Sequence, residues 1–248
     1  MVGRGCTVRI AVVSDIHGNL TALEAVASDV RAMSPDLVVH AGDLADSGSS
    51  PVEVIDRVRT LGWPGVMGNT DEMLVRPESL ETFAKGSNAP PALWTAVREI
   101  AEATRDALGE GRLSWLNALP FQAVFETLAV VHATPSSCWH VPPTDATDER
   151  LESIYGSLDR PVVVFGHTHV SSIRRLAGSS RLIVNSGSVG LPYDGDPRAS
   201  YALLDGLTAS IRRVEYDLER ELKMLENCGL PGADWTAHML RTSAPHMP

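Results

Sequence analysis

The chain has 248 residues, 44% hydrophobic and 21% charged, with 21 Lys and Arg against 31 Asp and Glu for a formal net charge of -10. That size and apolar content are enough for one domain with a sizeable core, while the acidic balance argues against a general nucleic-acid or anionic-membrane surface, so a phosphate-bearing ligand would need bound cations. The cysteines Cys6, Cys138 and Cys228 are scattered without a CxxC spacing, which excludes a disulfide framework or thiolate metal site as an expectation and points to a reducing cytoplasm; no run reaches membrane-spanning length.

Val8 to Val13 is nearly continuous in β-branched and apolar residues and predicts a strand covered on both faces, followed by the polar burst Ser14-Asp15-Ile16-His17-Gly18-Asn19. Leu20, Leu23, Val26, Ala27 and Val30 then recur at helical spacing before Pro35. A second buried strand, Asp36 to His40, runs into Ala41-Gly42-Asp43-Leu44, and the intervening helix forces the two strands to be parallel. Pro51 to Leu61 predicts a helix with Val52, Ile55, Val58 and Leu61 as its stripe, and Trp63 to Asn69 a short third strand. Residues 72–119 break this rhythm and predict a helical insertion, interrupted at Ser87 to Pro91 and helical over Leu93 to Leu108, able to wall one side of a site.

After Pro120, strands over Phe121 to Phe125 and Leu128 to Val131 form a hairpin at Glu126-Thr127, the second running into His132-Ala133-Thr134-Pro135. A helix over Thr147 to Leu158, capped by Thr or Asp, precedes Pro161 to Phe165, the most strand-like run, which leads into Gly166-His167-Thr168-His169. Strands at Ser172 to Leu176, Leu182 to Asn185, Tyr201 to Leu204 and Ser210 to Tyr216 follow, antiparallel in character. A helix over Leu218 to Leu225 ends the regular structure, and the tail 229–248 is expected to be loosely held.

The repeated event is a buried strand whose C-terminal end delivers metal-capable side chains: Asp15 and His17, then Asp43, Asn69, His132, and finally His167 with His169. An isolated Asp-x-His pair before a helix is explained as a turn residue and a cap. Five such strand ends meeting in one crevice of an open α/β arrangement are a ligand set. Seven oxygen and nitrogen donors suffice for two metals if one carboxylate bridges them, and suit Mn²⁺, Fe or Zn²⁺.

The blocks Asp15-Ile16-His17-Gly18-Asn19, Gly42-Asp43, Gly68-Asn69-Thr70-Asp71, His132-Ala133-Thr134-Pro135 and Gly166-His167-Thr168-His169, in that order, resemble the calcineurin-like metallophosphoesterase superfamily. With the Gly-rich run Asn185 to Pro192, the chain looks most like its small bacterial and archaeal phosphodiesterase branch. The resemblance implies an α/β fold for a single domain over 1–248: a four-layer α/β/β/α sandwich of two mixed sheets with flanking helices and the metal site at the strand ends. It implies that Asp15, His17 and His169 hold one divalent ion, that Asn69, His132 and His167 hold the other, that Asp43 bridges them, and that a hydroxide between the metals attacks phosphorus. Asp43, Asn69 and His132 would thereby act in catalysis on a small phosphorylated substrate, with manganese the expected ion in vitro.

One position departs from the family pattern. Much of the superfamily has His after the Asn of the third block, and here Thr70 stands there, which cannot act as a general acid near neutral pH. Candidate substitutes are His140, otherwise a surface His beside Trp139, and Asp71. His40 is expected to donate a hydrogen bond in the core. Asn19 is a helix cap or a phosphate contact, Ser188 with Gly187 and Gly190 a phosphate loop or a plain turn, and Arg198 a substrate contact or the partner of Asp196, the pairing being favoured. Trp94 and Trp115 are read as core, and His238 and His246 have no assigned role. Two other functions fit the resemblance: a dinucleoside polyphosphate hydrolase or protein phosphatase, for which no Arg-rich block is seen, and a non-catalytic scaffold like the retromer subunit, which would not require all seven donor positions to be filled.

Overall fold

In the computed structural model, which describes residues 8–248, β1 (Arg9–Val13) and β2 (Leu37–His40) pair in parallel across α1 (Leu20–Met33); Cys6 lies outside the described residues. α1 begins where Asn19 accepts a hydrogen bond from the amide of Ala22 at 2.9 Å, and stops where Ser34 turns left-handed (φ 50°) ahead of Pro35. β8 (Ala199–Asp205) pairs antiparallel with β1 and with β9 (Thr208–Val214), giving a four-stranded sheet in the order β2-β1-β8-β9.

The second sheet contains β3 (Gln122–Val124), β4 (Leu128–Val131), β5 (Val162–Phe165), β6 (Ser172–Arg175) and β7 (Leu182–Asn185), in the order β3-β4-β5-β7-β6. The β3–β4 hairpin falls at the expected turn. β7 departs from the antiparallel expectation on one side: it turns back from β6 and slots in parallel to β5.

Strand periodicity explains the layers. Ile10 and Val12 of β1 face Val130 of β4 and Val164 of β5 between the sheets, whereas Ala11 and Val13 turn the other way toward Val26 of α1 and Ile55 of α2 (Pro51–Leu61). On the far side Ala129, Val131 and Val163 pack on Leu151 and Tyr155 of α6 (Asp148–Tyr155). Each fully buried Val or Leu contributes about 1.5–3 kcal/mol. The result is the α/β/β/α sandwich expected from the sequence. Thr147 caps α6 by accepting from the amide of Arg150.

Residues 69–117 form α3 (Asn69–Val75), α4 (Pro77–Gly86) and α5 (Pro91–Asn117), with Pro77 and Pro91 each in the first turn of its helix. α5 is broken at Gly109 (φ 69°, ψ 167°), immediately after the predicted end at Leu108, and then resumes. Leu108 and Leu116, one on each side of the break, are both buried, and Arg112 forks onto Asp56 of α2 at 2.9 and 2.5 Å.

Three expectations need correction. Trp63 to Asn69 is not a strand: a single parallel bridge joins Gly65 to His40, because Pro64 offers only its carbonyl and Asn69 already opens α3. The tail is not loosely held. α7 (Leu218–Asn227) is followed by α8 (Ala233–Thr242), whose Ala237, Met239 and Leu240 are buried against Leu191, Leu222 and Leu225. Finally, His40 is fully buried, but neither ring nitrogen has a hydrogen-bond partner; it packs near Trp115 and under the backbone of Gly65.

Candidate metal centre

The loops leaving β1 and β2 are zipped together by backbone hydrogen bonds: Asp15 N to Gly42 O (3.0 Å), His17 N to Asp43 O (3.0 Å) and Gly18 N to Leu44 O (2.9 Å). A third loop, after β7, is laced to the first through Val189 N to Ser14 O and Gly190 N to Asp15 O, and the loops after β5 and β4 are laced to each other through Gly166 N to His132 O. These bonds hold side chains at unusual backbone angles. Asp15, His17, Asp43, His167 and His169 all have φ between 47° and 65°, half of the ten non-glycine residues with positive φ among those described. Such strain persists only where the surroundings over-determine it, and it concentrates at functional sites.

Close backbone approach explains two of the motif glycines. A Cβ at Gly68 would collide with Asp43 Oδ1, and one at Gly166 with Asp15 Oδ2 and Ser14 Oγ.

Two donor groups result. Asp15, His17, Asp43 and His169 form one, and Asp43, His132 and His167 the other, with Asp43 common to both. Asn69 Oδ1 joins the second, 2.9 Å from His132 Nε2 and 2.7 Å from His167 Nδ1. Three of the imidazoles spend their Nδ1–H on a backbone carbonyl: His17 on Asp46 (3.0 Å), His132 on Ala41 (2.7 Å) and His169 on Leu191 (2.5 Å). In the neutral rings of His17 and His169 that fixes the tautomer and leaves Nε2 as an acceptor. The Nε2 atoms of His17 and His169 then face each other at 3.1 Å, lone pair toward lone pair.

Carboxylate oxygens close the groups, Asp15 Oδ1 lying 3.4 Å from His169 Nε2 and Asp43 Oδ2 lying 3.4 Å from His132 Nε2 and 3.6 Å from His17 Nε2. Donors about 2.1 Å from one ion sit roughly 3.0–3.4 Å apart in octahedral or tetrahedral geometry, so the donor set fits divalent cations.

The electrostatics agree. Burial raises the Asp15 carboxyl to about 7, with the neighbouring Asp43 charge adding to it, whereas at Asp43 burial is outweighed by the positive charge and hydrogen bond of His132, which hold its carboxyl below the usual range. His132 is itself raised: burial opposes its charge, but Asp43 outweighs burial. Burial pushes His17, His167 and His169 down, leaving them neutral ligands. The cluster therefore draws positive charge to the space around Asp43.

Other predicted site residues lie elsewhere. Asn19 is the α1 cap and donates to Gly190 O, and Ser188 is buried, donating to Asp15 O and accepting from Leu191 N, so both brace loops. Arg198 is exposed and pairs with Asp196 at 2.7 Å. His140 is exposed, bonded to Ser137 Oγ, and lines a neighbouring cavity. Asp71 is fully buried and cannot serve as an acid for substrate: its carboxylate collects the amides of Asp43 (2.8 Å), Leu44 (3.0 Å) and Gly68 (3.0 Å), tying the bridging residue to the start of α3.

Above the donors lies a pocket of about 240 Å³. Thr70 borders it with a hydroxyl that has no partner, while its amide donates to Asp43 Oδ1 at 2.9 Å. So does Asp46, not singled out from sequence, whose buried Oδ1 is unpartnered; its place three residues after Asp43 was the available signal. Trp94, read as core, and Trp235, read as tail, also line the pocket. Cys138 and Trp139, on the loop after β4, both donate to Glu72 Oε2, at 3.1 and 2.7 Å.

The family model for the calcineurin-like phosphoesterase superfamily domain matches residues 8–208. An uncharacterised protein of Methanocaldococcus jannaschii is 29% identical over 252 residues, covering 93% of this chain and 96% of that one. The crystal structure of a metallophosphoesterase from Sphaerobacter thermophilus is similar with a TM-score of 0.75 and 28% identity, over 96% of this chain and 99% of the other. That of a hypothetical protein from Pyrococcus horikoshii has a TM-score of 0.78 at 18% identity, over 94% and 97%, a likeness of fold. Among the described residues, no helix is long and apolar enough to cross a membrane.

Proposed function

We propose, from the premise that this chain belongs to the calcineurin-like phosphoesterase superfamily, that it is a metal-dependent phosphoesterase holding two divalent cations and hydrolysing phosphodiester bonds, with phosphomonoesters as a second substrate class. The observation that carries this reading is the pair of donor groups joined through Asp43, with the unprotonated Nε2 atoms of His17 and His169 facing each other at 3.1 Å. The likeness to the Sphaerobacter metallophosphoesterase supports it. Asp15, His17 and His169 would hold one cation and Asn69, His132 and His167 the other; bound there, the cations would supply Lewis-acid charge and lower the pKa of the attacking water.

The chain's own residues divide the remaining tasks. Asp43, buried and ionised, anchors both halves of the site, and Asp71 fixes its backbone. Thr70 offers a hydroxyl to a phosphoryl oxygen but no proton for a leaving group, so esters of acidic alcohols and phenols are the favoured substrates. Manganese is the ion we expect to activate the protein in vitro.

Hydrolysis of bis(p-nitrophenyl) phosphate by Mn²⁺-loaded protein tests the reading. Turnover that is lost in Asp43→Asn and His167→Ala supports it. A protein that binds two equivalents of metal yet turns over neither diesters nor monoesters overturns it.

A further inference from the structure

The pocket over the metal donors has two chemically distinct ends. At its floor are His17, Asp43, Asn69, His167 and His169; its walls carry Phe83, Trp94, Trp139, Tyr193 and Trp235. Three of the chain's five tryptophans thus meet at one small space, although aromatic residues make up only 5% of the sequence. The five aromatic residues come from separate places: α4, α5, the loop after β4, the loop after β7, and α8. None of the described residues lining the pocket is Lys or Arg.

The rings are held at defined angles. Phe83 meets Trp94 edge-on (5.7 Å, 84°) and Trp139 at a shallow tilt (4.8 Å, 32°). Tyr193 stacks on the ligand His169 at 4.4 Å and 15°, so the aromatic wall touches the donor floor. Trp139 and Trp235 have their indole N–H groups committed, to Glu72 Oε2 (2.7 Å) and His246 O (2.8 Å). Trp94 does not: its Nε1 is buried without a partner.

We infer that the pocket takes a small ester carrying a single phosphate and one planar aromatic ring, the phosphate on the donor floor and the ring against Phe83 and Trp94. The inference rests on the phosphoesterase reading above and deepens it. A chain of phosphates is disfavoured, since charge beyond the group at the donor floor would lie against apolar walls with no side-chain cation to offset it. The space of about 240 Å³ directly over the donors is of the size of one ring and one phosphate. Stacking on aromatic side chains is tolerant of ring identity, so recognition is of planarity before substituents.

Phenylphosphonate and methylphosphonate share the phosphonate head, resist hydrolysis and differ in the ring. Calorimetric titration of Mn²⁺-loaded protein should give a dissociation constant about tenfold or more lower for phenylphosphonate, and in Trp94→Leu or Phe83→Leu the ratio should fall below about threefold. Far-UV circular dichroism of each variant checks that it folds. Equal affinities in the unaltered protein, or a ratio retained in both variants, would overturn the inference and leave the phosphoesterase reading standing. Metal-loaded protein that binds neither phosphonate would overturn both.

Discussion

The floor and the wall of the pocket are built on opposite principles. Floor side chains ride on strand-end loops laced by backbone hydrogen bonds, with left-handed φ angles at Asp15, His17, Asp43, His167 and His169. The wall rides on helices and loops drawn from distant parts of the chain, and side-chain packing places its rings. A hydrogen-bonded loop fixes an atom to within a few tenths of an ångström, as metal coordination demands, while packed rings tolerate exchange for another apolar shape. The floor should therefore govern whether chemistry occurs and the wall which ester enters.

Breaking the floor gives the largest effect. Asp43→Asn should reduce Mn²⁺-dependent hydrolysis of bis(p-nitrophenyl) phosphate by about a thousandfold or more, whereas Trp94→Leu should change kcat for the same substrate by less than about tenfold. Comparable losses in steady-state assays of both would erase the distinction.

Support beneath the floor comes next. Asp71→Ala strips three buried amides of their acceptor and should cost about 2–4 kcal/mol in urea unfolding. The variant should also bind Mn²⁺ about 10–100-fold more weakly by calorimetry, since Asp43 loses its backbone anchor.

Acid sharpens the comparison at a buried group outside the donor set. His40 is pushed down from 6.5 to about 4 by burial. The unfolded chain takes up this proton below about pH 6.5 and the folded one only near pH 4, so the stability is complete above about pH 6.5 and is lost as pH falls. The loss should reach about 2 kcal/mol by pH 5. Urea midpoints at pH 7 and pH 5 should show a smaller drop in His40→Leu than in the unaltered protein; equal drops would refute the assignment. Least of all, Arg198→Ala should leave turnover within about twofold and the urea midpoint almost unmoved, because its exposed pair with Asp196 is screened by solvent.

The same contrast accounts for what could be read in the sequence. Asp15, His17, Asp43, His132, His167 and His169 each sit within four residues of a strand-like run, so local pattern places them at strand ends, while the layering is what the family resemblance implies. Trp94 and Trp235 show no such signal: they stand 141 positions apart in the chain and meet only because α5 and α8 fold over the same strand ends. α8 looks like a tail because Pro231 and Gly232 precede it and small residues and proline follow it, yet Ala237, Met239 and Leu240 find their partners in Leu191, Leu222 and Leu225. Asp71 is a candidate acid in the sequence. Only the course of the backbone shows that three amides already occupy its oxygens.

The bond from Cys138 Sγ to Glu72 Oε2 has a consequence for redox chemistry. Burial, reinforced by that carboxylate, pushes the Cys138 thiol above its ordinary range. Oxidants and soft metal ions react with thiolate, and beside this pocket almost none exists at neutral pH. That thiol is therefore inert: peroxide should leave Cys138 unmodified while the protein is folded, and the donors offered to an incoming cation remain nitrogen and oxygen.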